Sequence, residues 1–113
     1  MTKKSSRHKV EWSEIALRDL GLILEFISID SHSKAHGILS KIERAASKLE
    51  RFAERGRLVP ELLEHDIRSY RELVVKPYRV IYRIEDCVQV LAVLDARRDF
   101  ESIIFSRILA DKQ

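Results

Sequence analysis

The chain has 113 residues, 45% hydrophobic and 35% charged, with three Gly and two Pro; this suits one domain with its own core and excludes a fibrous, linker-like or disordered chain. Its longest unbroken apolar run is the five residues Val90–Leu94, far below the ~20 a membrane helix needs, and no apolar segment follows the basic start to suggest a secretory signal. The formal charge of +3 is a property of the first nine residues: removing Lys3, Lys4, Arg7 and Lys9 from the 21 Lys and Arg leaves 17 against 18 acidic residues, so polyanion binding has to be argued from arginine placement.

A basic tail over residues 1–8 precedes a single domain over 9–113. His8 to Trp12 alternates, with Val10 and Trp12 on one face, and predicts a short strand. Ser13 is an N-cap candidate followed by Glu14. Ala16, Leu20, Ile23, Leu24 and Ile27 then recur at helical spacing to about Ile29. Leu17, Leu22, Phe26 and Ile29 widen the apolar surface, so this helix is expected to be covered on two sides. The polar break Asp30–Ser33 leads into a second helix, with Ile38, Ile42, Ala46 and Leu49 facing the core and Gly56 ending it. Two helices so joined make an antiparallel hairpin.

Beyond Gly56, the stretch Arg57–Asp66, broken by Pro60, reads as an irregular connection. Three β-rich runs follow, Tyr70–Val75, Tyr78–Ile84 and Val88–Leu94, with turns at Lys76-Pro77 and Glu85–Cys87. Asp99 precedes a last helix carrying Ile103, Ile104, Ile108 and Leu109. The order β-α-α-β-β-β-α predicts an α+β domain, a helical hairpin packed on an antiparallel sheet. In the last strand Val88, Val90, Ala92 and Leu94 are assigned to one face and Leu91 and Val93 to the other. The hairpin covers one face of such a sheet, which leaves the second to the last helix, another chain or solvent.

The chemistry-bearing residues of the C-terminal half are arginines. Arg71, Arg79 and Arg83 fall on neighbouring strands and Arg97-Arg98 follows the last one; guanidinium forks suit phosphates and carboxylates. The alternative is pairing with Glu72, Glu85, Asp95 or Asp99. His8, His32, His36 and His65 lie away from these arginines, and His32 and His36, four apart, lack a third metal ligand. Cys87 can form no internal disulfide and has neither a zinc-type spacing nor a neighbouring histidine, so the chain is expected to be soluble, reduced and cytoplasmic, without cofactor or metal.

Three ordered blocks carry a resemblance: Ala16-x-x-Asp19-Leu20-x-x-Ile23-x-x-Phe26-Ile27; Phe52-Ala-Glu-Arg-Gly56-Arg57-Leu-Val-Pro60-Glu61-Leu62; and Tyr70-Arg-Glu-Leu, Tyr78-Arg79-Val-Ile-Tyr82-Arg83 and Val90 to Asp99. From about residue 9 onward the chain resembles the RelE/ParE superfamily, the toxins of bacterial type II toxin–antitoxin pairs, also called plasmid stabilisation proteins. Within that resemblance, RelE-like members cut messenger RNA on the ribosome, some with a C-terminal tyrosine, whereas ParE-like members poison DNA gyrase. Arg79 and Arg98 match the family's basic positions and Arg71 falls near another, but the matching C-terminal stretch reads Ile103-Ile-Phe105, without tyrosine. A phenyl ring exchanges no proton.

The resemblance therefore implies a ParE-like gyrase poison that acts by binding and is neutralised by a cognate antitoxin in a hetero-oligomer. Arg71, Arg79, Arg83, Arg97 and Arg98 are the candidate target contacts. The alternatives are a ribosome-dependent mRNA endonuclease, with Arg79 and Arg98 at the scissile phosphate, and a degenerate toxin retaining only antitoxin binding. The antitoxin is expected to lay an amphipathic helix on an apolar sheet face that includes Ile81, Leu91 and Val93. Asp95 stands where many relatives have histidine, and is expected to pair with Arg97.

Overall fold

The computed structural model describes residues 7–111; the tail's Lys3 and Lys4 lie outside them. In chain order the elements are β1 (Val10–Trp12), α1 (Glu14–Asp30), α2 (His32–Ser47), β2 (Arg57–Leu58), α3 (Pro60–Leu63), β3 (Arg71–Val75), β4 (Tyr78–Ile84), β5 (Val88–Asp95) and α4 (Phe100–Asp111). The five strands form one sheet in the order β1-β5-β4-β3-β2.

The hairpin is tighter than its four-residue polar break suggests, because Ser31 alone makes the turn. In extended conformation, its backbone N–H donates to the Ile27 carbonyl at the end of α1, and its Oγ accepts from the Lys34 N–H at the start of α2. One residue thus satisfies two helix ends. Ser13 caps the start of α1, accepting the Ala16 N–H at 3.1 Å.

Four expectations need correction. First, the sheet is mixed rather than antiparallel: β1 runs parallel to β5, Val10 opposite Val88, while the other pairs are antiparallel. Second, α2 stops at Ser47 and continues only as a 3₁₀ turn, Lys48–Glu50, well before Gly56. Third, the connection after Gly56 contains β2 and the single turn α3, started by Pro60 at its first position, where a missing N–H costs nothing. Fourth, Leu17, Leu22, Phe26 and Ile29 on α1 are exposed within this chain; the helix is covered on one side.

Gly56 has no positive φ. Its requirement is space: a Cβ there would sit 2.6 Å from the Glu72 carbonyl oxygen and 2.6 Å from Tyr82 Oη. The bare backbone lets the Gly56 N–H donate to Tyr82 Oη at 3.0 Å, and that hydroxyl donates in turn to the Ala53 carbonyl at 2.7 Å. The phenol is buried, and both contacts remove what would otherwise be an unsatisfied polar group.

A β-bulge decides which residues face which layer. Ile81 pairs with Ala92 but Tyr82 pairs with Val90, so Leu91 is the extra residue on β5. The alternation slips by one there. Val88, Val90 and Val93 pack with Tyr78, Val80 and Tyr82 against the α1–α2 hairpin. Leu91, Ala92 and Leu94 pack with Ile81 and Tyr70 against α4 and against Val59 and Leu62 of the connection. The facial assignment of β5 read from simple alternation therefore holds through Leu91 and is wrong for Ala92, Val93 and Leu94.

Candidate functional site

Arg79 is the most heavily engaged of the candidate arginines. It is 8% exposed, and its guanidinium is shared by two carboxylates. Nη1 and Nη2 fork onto Glu61 at 3.0 and 2.7 Å, and Nε donates to Glu72 at 2.7 Å. Glu72, 1% exposed, also accepts from Arg57 Nε at 2.6 Å. The ring of Phe100 closes the stack, its centroid 3.6 Å from Arg79 Cζ. Such a cation over an aromatic face, desolvated on one side, is attractive in its own right. The Arg79 hydrogen bond holds the Glu61 carboxyl below the usual carboxylate range. Burial opposes the Arg79 charge, but the two carboxylates more than compensate and its proton is held more tightly still. Three of the five donors of this guanidinium are committed to carboxylates and the residue is buried, which leaves it poorly placed to receive a phosphate.

The remaining four do not converge on it. Arg71, opposite Tyr82 on the hairpin side of the sheet, donates to the Gly56 carbonyl at 2.7 Å and to the Glu54 carbonyl at 3.3 Å. Arg83 shares the α4 side of β4 with Arg79 but sits at the other end of the strand. There it pairs with Asp111 and approaches Glu85 at 3.3 Å and Gln89 at 3.3 Å. Arg97 forks onto Asp95, Nε to Oδ1 at 3.0 Å and Nη2 to Oδ2 at 2.8 Å, and that hydrogen bond lowers the Asp95 pKa. Arg98, in the exposed turn before α4, makes no guanidinium hydrogen bond or ion pair among the described residues. Of the five, it alone presents a fully available fork.

Of the three covers left open for the second sheet face, the last helix is the one the fold supplies, and the residues expected to receive the antitoxin are split between the two faces. Ile81 is 1% exposed beneath α4, and Val93 is 2% exposed against the hairpin, on the opposite side. Only Leu91 keeps partial exposure, meeting Ile81 in an apolar crevice of about 160 Å³ between α4 and the sheet. Phe100, Ile104 and Ile108 are what covers this face.

Polar clamps hold that cover down. Arg107 of α4 forks onto Asp19 of α1 at 2.9 and 2.5 Å. Asp19 Oδ2 also accepts the Val93 N–H at 3.0 Å, an edge group of β5 beyond the reach of β1. At the end of α4, Asp111 receives Tyr70 Oη at 2.8 Å together with Arg83. Burial first, and then the Asp111 carboxylate, pushes the Tyr70 phenol up to about 12.

Other chemistry is sparse. His32 and His36 are exposed on α2, His65 packs edge-on against Phe105 with ring centroids 5.0 Å apart, and His8 donates its backbone N–H to Glu50. Among the described residues no group of three His, Cys, Asp or Glu side chains is placed to hold a metal. Cys87 lies 3.5 Å from Glu11, and partial burial together with that carboxylate raises its thiol pKa. No helix among the described residues is long and apolar enough to cross a membrane.

Residues 10–100, from β1 to the first residue of α4, match the family model described as ParE toxin of type II toxin-antitoxin system, parDE. The chain belongs to the ParE toxin family. A Sinorhizobium fredii protein named Putative toxin Y4kP is 31% identical over 101 residues, covering 88% of this chain and 99% of its own. Among solved structures, the chromosomal ParDE TA system from P. aeruginosa matches with a TM-score of 0.65 at 20% identity, over 80% of this chain and 98% of that one. The toxin-antitoxin complex RelBE2 from Mycobacterium tuberculosis matches with a TM-score of 0.52 at 21% identity, over 83% and 97%. Both share the fold.

Of the four carboxylates expected from the sequence of this ParE family member to pair with arginines, Glu72, Glu85 and Asp95 do so, and Asp99 meets none among the described residues. Glu61, Asp19 and Asp111 pair with arginines without having been expected to. The first two lie inside the family-like blocks, so an acid in an otherwise apolar run was the available signal. Asp111 follows the last helical repeat and carried none.

Proposed function

We propose that this type II toxin of the ParE/RelE superfamily acts by binding: it arrests growth by poisoning DNA gyrase and is neutralised by a cognate antitoxin. The observation that carries this reading is the state of Arg79 and Arg98. A nuclease of the kind considered would need both guanidinium groups at one phosphate, and Arg79 is buried between Glu61 and Glu72. The stretch matching the family's C-terminal tyrosine is Ile103-Ile-Phe105, whose side chains exchange no proton. What remains is an exposed Arg98, unpaired among the described residues, with Arg97 next to it, a contact element rather than a catalytic set. The partner assignment draws on family membership, and the related solved structures are titled as toxin–antitoxin assemblies.

Expression of the chain alone in a bacterial host tests this. Growth arrest with induced DNA damage is the expected result. New 5′ ends within codons of ribosome-bound transcripts, lost on Arg98→Ala, would assign it instead to mRNA cleavage. An unaffected culture would leave only antitoxin binding as a retained property.

A further inference from the structure

An open, partly apolar groove lies away from α4, where the end of α1 meets the start of α2 and the β3–β4 turn. Phe26 and Ile29 are 73% and 82% exposed there, and with Ile38 and Tyr78 they line a groove of about 790 Å³. Exposed aromatic and large aliphatic side chains grouped in a groove mark an interaction site more often than a solvated surface.

Two further features say what fits it. Gly37 lines the groove in the interior of α2, with no positive φ and no atom within 4 Å of where its Cβ would be. Neither backbone conformation nor packing within the chain calls for glycine, which is a poor helix former compared with alanine. Bare backbone in a groove permits close approach from outside. The second feature is charge. Lys34 and Lys41 rim the groove, and the segment from His32 to Ile42 carries no carboxylate. Asp30 is the acidic residue lining it, while Arg97 is already paired with Asp95. A rim of this charge is complementary to carboxylates on a partner.

We propose that this groove seats an amphipathic, acidic segment of the antitoxin, apolar side chains resting on Phe26 and Ile29 over Gly37 and carboxylates reaching Lys34 and Lys41. The assignment rests on the toxin–antitoxin reading above. It places the partner on the helical hairpin rather than over Ile81 and Val93, which the fold already covers.

The test uses the full chain and, as probe, the neighbouring reading frame's product that rescues cells expressing this chain. Gly37→Leu adds a better helix former in open space, so thermal stability stays at or above that of the native chain while binding weakens at least tenfold. Phe26→Asp and the pair Lys34→Glu/Lys41→Glu are each expected to weaken binding at least tenfold, the charge-reversed pair also flattening its salt dependence. Leu109→Ser, on exposed α4 across the sheet, leaves it unchanged. Native-like affinity of folded Gly37→Leu and Phe26→Asp would overturn the groove assignment while leaving the toxin reading intact. If no such product binds the native chain, both fall. A dimer of the chain alone that Phe26→Asp dissolves would assign the groove to a second copy and overturn the proposal.

Discussion

The guanidinium of Arg79 lies over the ring of Phe100, 3.6 Å from Cζ to centroid, while its edges are taken by Glu61 and Glu72. Through this contact β4, β3, α3 and the first residue of α4 are fixed to one another. An arginine that reads as a target contact in the sequence is a structural hub in the fold.

Arg79→Ala should therefore destabilise the protein by about 3 kcal/mol, because it leaves the buried Glu72 with Arg57 as its remaining cation and takes the fork away from Glu61. That is a large share of the roughly 5–15 kcal/mol typical of a domain. Arg79→Lys keeps the charge but loses the fork, and should recover only part of it. Urea denaturation of both variants checks this. Loss of toxicity in Arg79→Ala should track loss of folded protein.

Acid should weaken this node and the separate Arg97–Asp95 pair. The folded-state pKa of Glu61 is lowered by its hydrogen bond to Arg79, and that of Asp95 by Arg97. A lowered carboxylate contributes stability above its unfolded value, near 4.3 for Glu, and loses it as pH falls through the folded one. The melting temperature should hold from pH 8 to 6 and drop below about 4.5. Glu61→Gln should cost about 1–2 kcal/mol at pH 7, and the gap to the native chain should close as the pH falls. Thermal melts across pH 7 to 3 measure both.

The chain's three tyrosines all have raised pKa values. Burial is the leading cause in each, with Asp111 added at Tyr70 and Asp95 at Tyr78. A raised phenol contributes stability below its unfolded value near 10 and loses it as pH climbs through the folded value. Absorbance titration of the folded protein should show no phenolate forming at the ordinary pKa. The rise should come later and accompany alkaline unfolding.

Gly56 and Tyr82 should behave as a coupled pair. Tyr82→Phe leaves the buried Ala53 carbonyl and Gly56 N–H without their hydroxyl, at a cost of about 1–3 kcal/mol. Gly56→Ala drives a Cβ against Tyr82 Oη and the Glu72 carbonyl, and overpacking costs about 1–3 kcal/mol or more. With the hydroxyl gone one clash goes with it, so the double variant should lose less than the two single losses added together. Chemical denaturation of the four proteins closes that cycle.

The hairpin, the meander and the helix after Asp99 were legible because their signals are local: periodicity, caps and turn residues. What was not legible depends on pairing across the sheet. Leu91 looks like any strand residue until Tyr82 is seen opposite Val90, and the single slip turns Val93 from one face to the other. Gly56 resembles a helix stop, yet its reason lies in Tyr82, 26 residues away. The parallel partner of Val10 is equally remote, at Val88. The candidate site suffered most, since a guanidinium's role depends on what meets it: Arg79 and Arg98 are alike in sequence and opposite in exposure.

The most direct test of the account combines the purified chain with DNA gyrase and supercoiled DNA, reading trapped cleavage complexes as DNA linearised on denaturation. The native chain should accumulate them, and Arg98→Ala, equally stable because that guanidinium makes no hydrogen bond or ion pair among the described residues, should accumulate at least tenfold fewer. A native chain that arrests growth in cells yet traps no gyrase on DNA would contradict the account.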